Sequence, residues 1–247
     1  MSKPPILLLH GVFGSPDLLG PWVDFLTDAG YVCHVPALPG RDPSDDQVLA
    51  RLSVADCVDI ALHAYDRIGE PAIAIGHSFG GFIAQKVAAA RECVALVLLA
   101  SVPPGVLWPQ LRAVPHLLPV LPEILAGRPF RPSAATMRAV PLNTLPREER
   151  ESLIPRLVRD SGRVFRTMSL GLPIMHIDPS AVTCPVLCAS AGADRNVAPW
   201  MSRRLAARYR AEHHVYLRLP HWIVAESALP QVGPPTVAWL DRVRTSP

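Results

Sequence analysis

A chain of 247 residues, 49% of them hydrophobic, has the length of one large domain, or of a domain carrying an insertion, and can bury a core without metal or disulfide support. Its net charge is only +3, from 22 arginines and two lysines (Lys3 and Lys86) scattered along the chain; this excludes the dense basic patch of a nucleic-acid binder, and Arg203, Arg204, Arg208 and Arg210 read as the solvated face of a helix. No stretch is long and apolar enough for stable membrane insertion, and the opening Met-Ser-Lys-Pro-Pro lacks the apolar region and cleavage site of a signal peptide, so a cytoplasmic location is expected.

Short apolar runs then alternate with amphipathic segments. Ile6–His10 reads as a buried strand, followed by a helical pattern over Leu18–Ala29 that stops at Gly30. Tyr31–Leu38 is a second strand. Val54–Ile68 is helical, with a capping signal in Ser53 and Asp56 and an end at Gly69. Ala72–Gly76 is a third strand, with the helical pattern Phe79–Arg91 directly behind it, and Ala95–Ala100 is a fourth. Near-continuous Val, Ile, Leu and Ala runs predict strands covered on both faces, as in a parallel sheet.

Between Pro103 and about Ser180 the pattern breaks. The stretch is proline-rich, shows no strand run and carries the polar piece Pro146–Ser152. So long a break in a compact domain predicts a mainly helical insertion, a cap or lid over one end of the sheet. Alternation resumes with a strand at Val186–Ser190, a helix at Pro199–Tyr209, a strand at Val215–Leu219 and a helix at Thr236–Val243. The order predicts an α/β fold with a doubly wound, mainly parallel sheet of about six strands. Residues 1–102 and 181–247 would form the core and 103–180 the cap. The five cysteines read as reduced, buried thiols, with Cys184 and Cys188 sharing one face of a strand; no His or acid is spaced to make them a zinc site.

Gly76-His77-Ser78-Phe79-Gly80 fits G-x-S-x-G. The pentapeptide alone is a weak signal. A strand directly before it and a helix directly after predict the sharp turn that holds a nucleophilic serine at the carboxyl end of a sheet. Acyl transfer also needs donors for the developing oxyanion. One is expected from the backbone N–H of Phe79. The other is expected from His10-Gly11-Val12-Phe13-Gly14, with Val12 N–H first and Phe13 second; His10 is expected to fix that loop by hydrogen bonds. A serine hydroxyl needs an adjacent base. His221 follows the last strand and so lies at the same edge, whereas His213 and His214, at that strand's start, should lie at the opposite end. His77 should point away from the turn by alternation. Asp194 follows the fifth strand and can orient the imidazole. Asp178, the rival acid, precedes that strand.

With these residues in hand, His10-Gly11-Val12-Phe13-Gly14, Gly76-His77-Ser78-Phe79-Gly80-Gly81, Asp194 and His221-Trp222 resemble the α/β-hydrolase superfamily, and most of all its small, cofactor-free bacterial esterase-like members. The resemblance covers nearly the whole chain in order, with the insertion at the family's variable cap position. Many members have two further strands before the His-Gly loop, whereas only Ser2–Pro5 precede the first strand here, so a sheet of about six strands is expected; Pro220 stands where many members have Gly before the catalytic His. The resemblance implies a serine hydrolase of the carboxylesterase kind acting through Ser78, His221 and Asp194, without metal or organic cofactor. Phe13, Trp108, Phe165, Met168 and Trp222 would line a pocket for an apolar, ester-like small molecule. Lactone, thioester, amide or carbon–carbon hydrolysis and perhydrolysis use the same layout, and a ligand receptor on this scaffold is a reading of another class. Oligomeric state is not legible.

Overall fold

The computed structural model describes residues 3–41 and 45–245; the ends of the expected core and residues 42–44 lie outside the described residues. Six strands form one sheet in the order β2-β1-β3-β4-β7-β8, every pair parallel. They are β1 (Ile6–Leu9), β2 (Cys33–His34), β3 (Ile73–His77), β4 (Ala95–Leu99), β7 (Val186–Ala191) and β8 (Glu212–Tyr216). A small antiparallel pair, β5 (Pro129–Phe130) and β6 (Asp160–Ser161), stands apart. Every residue of β1, β3, β4 and β7 is buried, as expected of strands covered on both faces. The helices are α1 (Gly20–Asp28), α2 (Asp46–Arg51), α3 (Val54–Asp66), α4 (Phe79–Ala90), α5 (Val114–Leu117), α6 (Leu121–Ala126), α7 (Ala134–Ala139), α8 (Arg147–Arg156), α9 (Gly162–Leu170), α10 (Pro199–Arg208) and α11 (Leu229–Thr245). Among the described residues no helix is long and apolar enough to cross a membrane.

Two apolar cores lie on the two faces of this sheet. Ile6, Leu8, Ile73 and Ile75 pack with Trp22 and Leu26 of α1 and Val232, Trp239 and Leu240 of α11. The alternate residues Leu7, Leu9 and Ala74 pack with Cys57 and Ala61 of α3, Ile83 and Val87 of α4 and Leu205 of α10. The strand period of two thus divides one run of sequence between two cores. Registers Leu9↔Gly76, Gly76↔Leu98 and Leu99↔Ala189 bring the carboxyl ends of the central strands level, so the loops after them share one edge.

Several boundaries differ from the sequence reading. β2 keeps only two of the residues in Tyr31–Leu38. β8 begins at Glu212 instead of Val215, because it is an edge strand of mixed exposure whose members carry little apolar signal; Leu217, read as strand, is exposed beyond its end. His213 and His214 therefore lie inside the strand. Cys184 precedes β7 and is half-buried, as is Cys33, whereas Cys188 is buried within β7; all five thiols are free. α11 starts seven residues before the expected Thr236 and runs through Pro234 and Pro235. Proline costs a helix interior about 3 kcal/mol, and the buried side chains of this helix outweigh that signal. The segment between β4 and β7 is helical as expected, but it also contains the β5–β6 pair, too short to show periodicity.

Candidate active site

Ser78 joins β3 to α4 with φ 55° and ψ −120°, a backbone region that L residues avoid. The neighbouring glycines allow the crossing. A Cβ on Gly76 would stand 2.2 Å from the Gly80 carbonyl oxygen, and one on Gly80 would stand 2.2 Å from that of Leu9. Ser78 N–H donates to the Leu99 carbonyl at 3.0 Å, and its own carbonyl accepts from Gly81, Phe82 and Val102 N–H at 3.0, 3.3 and 2.9 Å. These bonds hold a conformation that costs on the order of 1–3 kcal/mol by itself.

His221 and Asp194 meet Ser78 at this edge. The Ser78 hydroxyl lies 2.8 Å from His221 Nε2, and His221 Nδ1 lies 2.8 Å from Asp194 Oδ2. A carboxylate can only accept, so Nδ1 carries the proton and Nε2 is left to take one from Ser78. The other carboxylate oxygen of Asp194 accepts from the amides of Asn196 and Val197 at 2.7 and 2.8 Å. All three side chains are buried. Asp178 is elsewhere, capping a short 3-10 turn by accepting from Ser180 N–H.

His77 does not stand apart from this group, contrary to the alternation argument. Its ring packs on those of His221 and Trp222, with centroids 5.2 and 5.3 Å away, and its Nε2 donates to the His221 carbonyl at 2.9 Å. Alternation fails here because the β3 residue next to the turn faces the returning His221 loop. Burial, then the nearby His221, lowers the His77 pKa to about 3, so the ring is neutral and a fixed donor. His10 behaves as expected: it contacts the Gly11 carbonyl through Nδ1 and accepts from Leu38 N–H through Nε2. Burial, then Arg41, lowers its pKa to about 4.

The two expected oxyanion loops adjoin the serine. A Cβ on Gly11 would lie 2.8 Å from Ser78 Cβ, so the His10–Gly14 loop rests on Ser78. Phe13, the second candidate donor, is committed elsewhere: its N–H donates to Asp160 Oδ2 at 2.8 Å. The N–H groups of Val12 and Phe79 have no protein acceptor among the described residues.

A cavity of about 330 Å³ opens onto Ser78, His77 and His221. Of the side chains expected to line it, Phe13, Phe165, Met168 and Trp222 do. Trp108 does not: it is 59% exposed and borders a separate shallow groove with Trp200. Leu117, Val120 and Ile124, from a part of the segment that sequence could not decode, and His116 are among the other residues of the wall.

A family model described as the alpha/beta hydrolase family matches residues 6–232. Comparison with curated protein sequences gives no match. Among solved structures, a monoacylglycerol lipase of Paleococcus ferrophilus superposes with a TM-score of 0.72 at 21% identity, over 98% of this chain and 97% of that one. A pyrethroid hydrolase of Sphingobium faniae gives 0.73 at 21% identity, over 96% and 97%. A methylesterase of Arabidopsis gives 0.70 at 16% identity, over 96% and 98%. These likenesses concern the fold; the family model spans the glycine turn, Asp194 and His221 together. The chain belongs to the α/β-hydrolase family.

Proposed function

We propose that the protein is a serine hydrolase that cleaves a carboxylic ester of an apolar small molecule through an acyl-enzyme on Ser78. The observation that carries this reading is the pair of 2.8 Å contacts linking Ser78 Oγ, His221 and Asp194. His221 takes the Ser78 proton as Oγ attacks the carbonyl carbon, and Asp194 stabilises the imidazolium. The amides of Val12 and Phe79 receive the oxyanion. His221 then gives its proton to the departing alcohol. A water deprotonated by His221 attacks the acyl-enzyme, and Ser78 recovers its proton as the acid leaves. The cavity, with walls of Leu, Val, Ile, Phe and Met, supports an apolar acyl or alcohol group. Residues 103–180 act as the cap supplying most of that wall. The neighbours named as a lipase, a pyrethroid hydrolase and a methylesterase agree with an ester as the bond.

Labelling with a fluorophosphonate, followed by turnover of a p-nitrophenyl ester chain-length series, tests this. Wild type should label and hydrolyse esters, and Ser78→Ala should do neither, with turnover reduced by roughly 10³-fold or more. Wild type that resists the label would remove Ser78 as the nucleophile. Labelling without cleavage of any ester would point to another scissile bond.

A further inference from the structure

Asp160 is completely buried and takes no part in the Ser78–His221–Asp194 relay. It lies in β6, within the segment between β4 and β7, yet its Oδ2 accepts the N–H of Phe13 at 2.8 Å while its Oδ1 accepts that of Ser161 at 2.7 Å. Two residues earlier, Val158 N–H donates to the Phe13 carbonyl at 3.0 Å. Both polar groups of the Phe13 backbone are thus held by one short stretch of that segment. The Phe13 ring is held there too, 5.4 Å from the rings of both Phe130 and Phe165. Phe13 has φ 59°, which a bulky side chain adopts only when its surroundings impose it.

Arg41 faces the same carboxylate, with Nη2 3.2 Å from Oδ2, and the two side chains are 3% and 0% exposed. Nη2 approaches off the hydrogen-bond direction, so charge attraction joins the pair. A carboxylate one residue from the oxyanion site would oppose the negative charge that develops there; the guanidinium offsets it.

We infer that Asp160 is a positioning residue: by binding Phe13 N–H it sets the loop so that Val12 N–H points to the carbonyl oxygen of the substrate. The inference rests on the reading of Ser78 and the Val12 amide given above. It makes the geometry of one oxyanion donor depend on a side chain delivered by the segment between β4 and β7.

Two variants separate positioning from simple support of the fold. Asp160→Ala leaves the Arg41 charge buried without a partner, which destabilises strongly. The double variant Arg41→Met/Asp160→Ala removes that charge and should recover most of the lost melting temperature. Its kcat on a p-nitrophenyl ester should stay about 10- to 100-fold low, with KM within about twofold of wild type. Its affinity for a trifluoromethyl ketone, which forms an oxyanion on Ser78, should fall by the same factor as kcat/KM. If kcat and ketone affinity return with the melting temperature, Asp160 only supports the fold and the inference is overturned. The isosteric Asp160→Asn covers the case in which neither alanine variant folds. With one acceptor oxygen left for two amides, it should lose about three- to tenfold in kcat, and unchanged kcat would likewise overturn the inference. A wild type that neither labels with fluorophosphonate nor cleaves esters instead overturns the assignment of Ser78, and this inference with it.

Discussion

At Ser78 the backbone and the side chain are under separate control. The backbone is held by β4 and the loop behind it, through Leu99 and Val102, while the hydroxyl answers to His221, which arrives 143 residues later. The imidazole is in turn held on two sides: Asp194 accepts the hydrogen bond of its Nδ1–H and His77 donates to the His221 carbonyl. These contacts should separate in kinetics. Asp194→Asn removes the carboxylate that selects the tautomer and should lower kcat by up to about 10⁴-fold. His77→Phe keeps an aromatic ring against Trp222 but loses the donor to the His221 carbonyl. We expect about a tenfold fall in kcat, with KM little changed. A His77→Phe variant of wild-type kcat would show that the bond is dispensable.

At the scale of elements, the turn between β3 and α4 tolerates no side chain at two places. Gly80→Ala would drive a methyl into the Leu9 carbonyl, forcing α4 and β1 apart. Expression should yield little soluble protein, or a melting temperature lowered by well over 10 °C, given roughly 4–8 °C lost per kcal/mol in a small domain and about half that in one of this size. A variant that melts like wild type would contradict the close approach. This same pressure is why the turn was legible: few sequences can cross from strand to helix so tightly. The places of Asp194 and His221 were legible for a related reason, since each follows a strand whose direction a parallel sheet dictates. Edges were harder. β8 buries none of its five residues fully and exposes two, and Val215 and Leu217, the residues that looked most like strand, are among the exposed apolar ones. His77 and Asp160 were illegible because their partners lie 144 and 147 residues away and nothing local marks those contacts.

For the whole molecule, the buried histidines make acid the condition to watch. In the folded chain His10 binds a proton only near pH 4 and His77 near pH 3, while in the unfolded chain each binds one near 6.5. As pH falls from 6.5, the unfolded state therefore takes up protons first and gains on the folded state, until the folded values are reached. The loss is bounded by about 1.4 kcal/mol per pH unit for each group. Urea midpoints should drop between pH 6.5 and 5.5, above the range where carboxylates titrate, and His10→Gln should flatten that slope. Midpoints level across this window would refute the assignment of neutral rings.

The two cores have a further consequence for motion. The segment between β4 and β7 contributes Phe130, Met137 and Leu142 to one core, and Val164, Met168 and Met175 to the other. Swinging it away as a body would break both at once. Residues 114–120, by contrast, bury no side chain, although His116, Leu117 and Val120 border the cavity. Opening these two short helical turns should therefore cost only a fraction of global unfolding. In native-state hydrogen exchange the amides of α5 should trade their protons orders of magnitude sooner than those of α9.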